Sequence, residues 1–413
     1  MPHAVLLLSG GLDSAAVVAA MGQVARNEIV TVTCGFEEEA YDERGDALEV
    51  AALLRTRHHE MMARPEAAEI ADTLALHFDE PFADASAVPT YYLSREARRH
   101  VTVALSGDGG DEVLAGYRRY RFDCHEESVR RVLPRWLRRA LRPIAAVYPR
   151  RPWIPRPLRA AATLRNIAED PATAHALSIA TMDPAEARRF LAPDFARECG
   201  DYDPLDRARR LYERCDAPDH LSKCQYVDIR LGLADGILTK VDRASMAHAL
   251  EVRSPMLDHR FVEFAWTIPP RERIRGTAGK FPLRQALERQ LGRAIARRPK
   301  HGFEVPLDEW FRGPLRDRFQ EALLRRAAPL HEWISPEAIA ASWEQHASRR
   351  RHCGPTLWKL AMLESWRSRY LAGTPKKSRA AGIETPCPPE GTPPGRQHAG
   401  MPSRNPPRSA RRA

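Results

Sequence analysis

The stretch Ser9-Gly10-Gly11-Leu12-Asp13-Ser14 decides the fold, because it joins a predicted strand to a predicted helix. The strand is the short apolar run 4–8, and the helix covers 15–25. Glycines let the backbone turn tightly and direct amide N–H groups toward an anion, and a helix N-terminus adds positive potential. If only Gly10-Gly11 were present, an ordinary turn between a strand and a helix, with Ser or Asp capping the helix, would be a sufficient explanation. The full hexapeptide favours a phosphate-binding loop in which Asp13 binds Mg²⁺.

A second loop of the same kind follows the predicted strand 101–105. Its sequence is Ser106-Gly107-Asp108-Gly109-Gly110-Asp111-Glu112. Carboxylates this close repel one another unless a divalent cation or a cationic partner lies among them. The ligand spacing of an EF-hand Ca²⁺ loop is missing. Two such loops at the ends of two strands of one sheet predict a nucleoside triphosphate bound together with Mg²⁺.

Strands and helices alternate over the first part of the chain. The predicted strands are 4–8, 29–34, 58–63 and 101–105, and the predicted helices are 15–25, 41–57, 65–78 and 86–99. This order is typical of an α/β fold with a parallel sheet and helices on both faces. We expect an α/β core over 1–122, a mainly helical remainder over 123–372 that returns motifs to the active site, and a disordered Pro/Arg-rich tail over 373–413.

Composition narrows the class of protein. The 413 residues carry a formal net charge of +10, but eight Lys or Arg and two Glu lie in 373–413, so this segment holds six of those charges. We therefore expect no nucleic-acid partner. The seven cysteines include no C-x-x-C pair, which disfavours a disulfide framework or a zinc ribbon and favours the reducing cytoplasm. No apolar run reaches the roughly 18 residues of a membrane-spanning helix.

Five motifs, in order along the chain, resemble the synthetase domain of the glutamine-hydrolysing asparagine synthetase family, within the N-type ATP pyrophosphatases. Besides the two loops, the second of which is followed by Gly116-Tyr117, they are Leu238-Thr239-Lys240-Val241-Asp242-Arg243-Ala244-Ser245-Met246, Leu250-Glu251-Val252-Arg253-Ser254-Pro255-Met256-Leu257-Asp258 and Arg298-Pro299-Lys300-His301-Gly302-Phe303. The resemblance extends from about residue 4 to about residue 371. It implies an adenine nucleotide alpha hydrolase-like fold with a five-stranded sheet.

The resemblance also implies a role for each site residue. Asp13 and Asp111 would bind Mg²⁺ on the ATP phosphates. The other residues expected to bind ATP are Leu7, Ser9, Gly10, Gly11, Ser14, Cys34, Ser106 and Gly107. The residues expected to act in catalysis are Asp108, which is linked to the acyl-adenylate, Lys300, which neutralises pyrophosphate charge, and Asp242, near the reacting centre. We expect Glu251, Arg253 and Asp258 to form a buried ion network instead.

The implied reaction is amide-bond formation through an acyl-adenylate, with L-aspartate and ammonia as the favoured substrates. No glutaminase domain precedes Ala4, so the nitrogen source is free ammonia, a separate glutaminase subunit, or a domain that this sequence lacks. A homodimer is a candidate assembly. One alternative is an amide or lactam synthetase that acts on another carboxylate, as in peptide cyclisation or glycan amidation. Another is a tRNA-modifying pyrophosphatase, although such enzymes usually need paired catalytic cysteines. The last is a non-catalytic ATP-binding protein.

Overall fold

The computed structural model describes residues 5–62, 70–148, 160–298, 305–326 and 328–371. Its single five-stranded sheet within these ranges is parallel throughout. The strands are β1 (Val5–Leu7), β2 (Val30–Gly35), β3 (Arg57–Met62), β4 (Val103–Leu105) and β5 (Glu251–Arg253). The predicted α/β fold with a parallel five-stranded sheet is confirmed.

The strand order β3-β2-β1-β4-β5 places β1 at the centre of the sheet. From β1 the chain adds β2 and then β3 on one side, and it returns to the other side of β1 to form β4. The direction of winding thus changes between β1 and β4. In open α/β sheets this change leaves a crevice at the carboxyl ends of the two strands, where ligands bind.

Helices cover both faces of this sheet. They are α1 (Leu12–Val24), α2 (Arg44–Leu53), α3 (Ile70–Phe78) and α4 (Ala87–Arg98). Leu6 in β1 belongs to one apolar core with Val17 of α1, whereas Val32 in β2 belongs to a second core with Leu74 of α3. Two cores require apolar side chains on both sides of the sheet, which is why β1 and β4 read as short apolar runs, whereas the outer strands β3 and β5 carry charged residues.

The chain after β4 is mainly helical, as predicted. The helices are α5 (Gly110–Val113), α6 (Arg118–Val132), α7 (Arg135–Val147), α8 (Ala161–Ala168), α9 (Pro171–Ile179), α10 (Pro184–Phe190), α11 (Pro193–Glu198), α12 (Asp206–Arg214), α13 (His220–Asp228), α14 (Thr239–Met246), α15 (His259–Thr267), α16 (Pro270–Arg273), α17 (Phe281–Ala296), α18 (Leu307–Arg312), α19 (Arg316–Leu324), α20 (Pro336–Ala347) and α21 (Gly354–Tyr370). A π-helix over Ile229–Leu238 joins α13 to α14. Among the described helices, none has both the length and the apolar character that crossing a membrane requires.

The edge strand β5 corrects one expectation. Glu251 and Arg253 pair with each other at 2.7 Å, and their side chains are 53% and 66% exposed. Asp258 pairs with the exposed Arg260. The predicted buried ion network is therefore wrong, because residues two apart on a strand share one face and this face of the edge strand is open to solvent. The predicted tail 373–413 lies outside the described residues.

Candidate active site

The two glycine-rich loops meet at the carboxyl ends of β1 and β4. Gly107 shows how closely they pack: a Cβ atom at this position would lie 2.6 Å from the backbone nitrogen of Ser14. Real Cβ atoms do not approach a backbone nitrogen so closely, so only glycine fits here without moving one loop. Loops 9–14 and 106–112 therefore form one continuous wall.

This wall encloses a cavity of about 420 Å³, a size typical of small-molecule sites. The cavity contains every predicted nucleotide-binding and metal-binding residue, together with one predicted catalytic residue. These residues are Leu7, Ser9, Gly10, Gly11, Asp13, Ser14, Cys34, Ser106, Gly107, Asp108 and Asp111. The structure thus brings together side chains and backbone groups from the ends of β1, β2 and β4.

Hydroxyl groups hold loop 9–14 in shape. Ser14 Oγ donates to the backbone carbonyls of Ser9, at 2.9 Å, and Gly11, at 3.1 Å. The backbone N–H of Gly11 donates to Ser9 Oγ at 3.3 Å. Helix α1 begins directly after Gly11, at Leu12. The loop therefore presents a helix N-terminus to the cavity, an arrangement that attracts phosphate oxygens.

A buried lysine lies between the two predicted metal ligands. Lys280 Nζ is 2.6 Å from Asp111 Oδ1 and forms a second ion pair with Asp13. The Lys280 side chain is only 5% exposed. Burial alone would lower the pKa of Lys280, but the Asp13 and Asp111 carboxylates outweigh it and raise that pKa above its ordinary value. Lys280 is thus the cationic partner that the close carboxylates require.

The same pair of carboxylates fits Mg²⁺. Carboxylate oxygens are the ligands this ion prefers, usually one or two per site together with substrate phosphates. Asp13 and Asp111 come from different loops, and one carboxylate oxygen of each already contacts the same cationic group, Lys280 Nζ. Two oxygen atoms placed around one cation are also suitably placed for Mg²⁺. If Mg²⁺ is present, these two side chains are the ones placed to hold it, beside the helix N-terminus that suits phosphate.

The three carboxylates of the second loop have different surroundings. Asp108 lines the cavity, and Asp111 pairs with Lys280. Glu112 is buried and accepts a hydrogen bond of 2.6 Å from Tyr117 Oη. Gln225 Nε2 donates to the backbone carbonyl of Glu112 at 2.6 Å. All three carboxylates line the cavity, and Glu112 in addition anchors the loop to α13.

Lys240 forms part of another wall. Its Nζ donates to Ser86 Oγ at 2.8 Å and lies 3.5 Å from Asp84 Oδ2. All three of these residues line the cavity. Burial would raise the pKa of Asp84, but Lys240 and the hydrogen bonds from Ser86 outweigh this effect and hold the pKa below its usual value. These ion-paired groups add both signs of charge to the site.

Asp242 is exposed and does not belong to the described lining of the cavity. Its neighbours Lys240 and Val241 do line it. Helix α14 buries Val241, Ala244 and Ser245, and Asp242 lies to one side of that buried face. Its role near the reacting centre therefore stays a prediction.

Lys300 lies outside the described residues. The first residue of its motif, Arg298, is described, and its guanidinium lies 3.4 Å from the backbone carbonyl of Gly10 and 3.3 Å from Asp46 Oδ1. Arg298 also lines the cavity. The motif thus begins beside loop 9–14.

The sequence prediction missed Lys280, Lys240, Asp84 and Glu43, all of which line the cavity. For Lys280 a signal existed, since the close carboxylates demanded a cation and Gly279-Lys280 precedes a helix. Nothing in the sequence paired that lysine with loops more than 150 residues away.

An adjoining cavity of roughly 940 Å³ shares Gly116, Tyr117, Arg284 and Arg298 with the first. Its basic lining comprises Arg118, Arg119, Arg121, Arg275, Arg284, Arg297 and Arg298, with one acidic residue, Glu288. Arg119, Arg297 and Arg298 form ion pairs with carboxylates. The lining keeps an excess of positive charge, which attracts anionic ligands.

The sequence profile of the asparagine synthase family matches residues 3–368. The chain belongs to this family. Its membership confirms the resemblance seen in the motifs, and it supports ATP-dependent amidation, the chemistry of a ligase, in general terms.

Individual relatives agree with this assignment. The chain is 27% identical over 368 residues to asparagine synthetase [glutamine-hydrolyzing] 1 of Bacillus subtilis, covering 87% of this chain and 55% of that protein. It is 29% identical over 367 residues to a putative asparagine synthetase [glutamine-hydrolyzing] of Mycobacterium bovis, covering 88% and 54%. The putative asparagine synthetase [glutamine-hydrolyzing] 2 of Methanocaldococcus jannaschii is 41% identical over 133 residues, 32% of this chain and 25% of that protein. The chain spans about half the length of the first two relatives.

Proposed function

We propose that this chain activates a carboxylate by adenylation and transfers the acyl group to ammonia, with L-aspartate as substrate and asparagine as product. The observation that carries the proposal is that Asp13 and Asp111, from two glycine-rich loops, line the same cavity and flank the ammonium group of Lys280. Family membership supports the use of ATP.

In the first step a carboxylate oxygen attacks the α-phosphorus of ATP, the bond from that phosphorus to the bridging oxygen breaks, and pyrophosphate leaves. The N-terminus of α1 and the Ser9 hydroxyl line the cavity and are proposed to stabilise phosphate charge. The Ser14 hydroxyl, which donates to backbone carbonyls, supports this loop. Mg²⁺ held by Asp13 and Asp111 would offset the charge of the leaving pyrophosphate. Lys280 lies between these carboxylates, so its ammonium can turn toward a phosphate oxygen.

In the second step the nitrogen of ammonia attacks the acyl carbon, the acyl C–O bond breaks, and AMP leaves. The attacking nitrogen must lose a proton as the amide forms. Asp108 lines the same cavity, and we assign it the acceptance of this proton. Lys300 is proposed to neutralise the charge on the departing phosphate groups.

Two observations bear on the substrate. The printed names of the relatives, asparagine synthetase, favour aspartate. The adjoining arginine-lined cavity favours a larger anionic carboxylate, because roughly 940 Å³ approaches the upper end of the sizes, about 300–1,000 Å³, that hold drug-sized ligands. Amidation or lactam formation on such a substrate is therefore the second candidate.

The test is ATP–pyrophosphate exchange with a panel of carboxylates, including L-aspartate, other amino acids, a peptide and uronic acids. Exchange that depends on L-aspartate supports asparagine synthesis, and exchange with a larger carboxylate alone supports the second candidate. Exchange with none of them would overturn carboxylate adenylation for this panel. Product formation with ammonia and with glutamine then identifies the nitrogen source, which for the relatives named above is glutamine.

A further inference from the structure

A second cluster of reactive side chains lies among the helices, outside the cavity. Asp123 comes from α6, His175 from α9, and Cys224 from α13. One ligand atom from each of the three lies within 4.8 Å of the others. Cys224 is fully buried, and Asp123 and His175 are nearly so. The proposed reaction uses none of these groups.

The spacing of these atoms suits a small metal ion. In a tetrahedral zinc site the bonds are about 2.0–2.3 Å long, so neighbouring ligand atoms are separated by about 3–4 Å. His175 Nδ1 is 2.9 Å from Asp123 Oδ2. Cys224 Sγ is 3.6 Å from Nε2 of a second imidazole, His220. His220 and Cys224 lie four residues apart on α13 and so share one helix face.

The surroundings hold both imidazoles in the orientation that a metal needs. His175 uses its other nitrogen, Nε2, to contact Asp228 Oδ1 at 3.2 Å. His220 uses Nδ1 to contact Tyr212 Oη at 2.6 Å. Metal-binding histidines almost always bind such a partner through the second ring nitrogen. Both rings thus keep one nitrogen for the space next to Cys224.

An Asp–His–Asp hydrogen-bond relay would account for part of this arrangement. It would explain the contacts of His175 with Asp123 and Asp228, but it needs neither Cys224 nor His220. Burial raises the pKa of the Cys224 thiol to about 11, although the neighbouring His175 opposes this shift, and burial lowers the pKa of His220 to about 4. The contact of 3.6 Å between Cys224 Sγ and His220 Nε2 therefore has no part in the relay.

The charges balance when a divalent ion is bound. Such an ion would face one carboxylate, from Asp123, one thiolate, from Cys224, and neutral imidazole, so the buried group would carry no net charge.

We propose that Asp123, His175 and Cys224 form a Zn²⁺ site that joins helices α6, α9 and α13. His220, whose Nε2 lies 3.6 Å from Cys224 Sγ, turns toward the ion as the fourth ligand. A ligand set that combines sulfur, nitrogen and oxygen favours zinc over the hard cation Mg²⁺. The burial of all three residues favours a structural rather than a catalytic role.

The metal content of the purified full chain tests this site. We expect about one zinc ion per chain, by inductively coupled plasma mass spectrometry, after purification without chelators. Cys224→Ser and His175→Ala should lose this zinc. Cys215→Ser is the matched control, because Cys215 is also buried but does not belong to the cluster, and it should keep the zinc.

Cobalt substitution gives a readout that does not depend on the stability of a variant. Wild-type protein loaded with Co²⁺ should show tetrahedral ligand-field bands and a thiolate-to-cobalt charge-transfer band. Cobalt bound instead at the Asp13 and Asp111 carboxylates would produce no thiolate band. Wild-type protein without stoichiometric zinc, cobalt spectra without that band, or equal zinc in the Cys224→Ser and Cys215→Ser variants would each overturn the proposal.

Discussion

At the carboxyl edge of the sheet Asp13 and Asp111 flank Lys280, and among the helices Asp123 and Asp228 flank His175. Both pairs of buried carboxylates need a cation, since like charges in a low dielectric repel strongly. The first pair lines a cavity of about 420 Å³, whereas the second lies in the interior of a helical layer. The difference lies in access: a ligand can enter the first site, but the second serves the stability of the helices around it.

The largest expected effect is on stability and comes from Lys280→Met. Removing one partner of a buried ion pair costs about 3–5 kcal/mol, because the remaining charges stay buried. We expect this loss in the free energy of unfolding, measured by urea denaturation in the absence of divalent cations. Added Mg²⁺ should restore part of it, since Asp13 and Asp111 then share a metal ion.

The comparison variant is His175→Gln, at the buried cluster. It should also lose stability, but added Mg²⁺ should restore none of it, because those side chains are buried and include a soft sulfur ligand. Rescue of both variants by Mg²⁺, or of neither, would contradict the distinction between the two sites.

The next effect is on activity and comes from Asp111→Asn. Loss of the carboxylate removes a proposed ligand of Mg²⁺ and so weakens the positive charge held at the phosphates, and losses of such charge stabilisation reduce rates by about 100- to 1,000-fold. The measurement is the rate of carboxylate-dependent ATP–pyrophosphate exchange. Asp194→Asn, at an exposed aspartate of α11, is the control and should retain the wild-type rate. Full exchange by Asp111→Asn would show that the assigned role is wrong.

Gly107→Ala tests the contact between the loops that distinguishes the open site. The new methyl group would lie 2.6 Å from the Ser14 nitrogen, and such overpacking costs about 1–3 kcal/mol. We expect weaker ATP binding by calorimetry and lower stability. Gly45→Ala, in α2 with no atom near the added carbon, should instead gain about 0.5–1 kcal/mol. Equal behaviour of the two variants would exclude close packing as the reason for glycine.

The smallest effect concerns Glu43, at the cavity wall. Burial, with help from Asp46 and Asp42, raises the pKa of Glu43 to about 7 from 4.5. The folded state therefore binds this proton more tightly than the unfolded state, and stability falls as pH rises from 4.5 toward 7. Glu43→Gln should be about 1–2 kcal/mol more stable than wild type above pH 7, a figure reduced for partial exposure. Unfolding curves with the same pH dependence for both proteins would refute this.

Local patterns predicted most of the cavity. Asp13 and Asp111 each follow an apolar strand within a short glycine-rich segment. The carboxyl ends of neighbouring parallel strands lie side by side, so the sequence alone predicts that these two aspartates are close together. Lys280 depends on a contact across more than 150 residues, which no local pattern contains. Asp242 lies outside the described lining, because the side of α14 that faces the cavity depends on what this helix packs against, which no local pattern contains.

The buried cluster was beyond prediction for another reason. Asp123, His175 and Cys224 lie in three different helices, and the His220–Cys224 pair on α13 is too short a pattern to predict a metal site by itself. A single histidine or cysteine on a helix face is most often an ordinary core residue. The relative position of α6, α9 and α13, which only tertiary packing decides, brings these groups together.

The fate of a labelled oxygen atom tests adenylation most directly. The protein is incubated with ATP, Mg²⁺, ammonia and a carboxylate substrate whose oxygens carry a heavy isotope, and the AMP is examined by mass spectrometry. Adenylation predicts that one heavy oxygen passes from the carboxylate to the phosphate of AMP. Formation of unlabelled AMP, or of ADP and labelled phosphate, would contradict it.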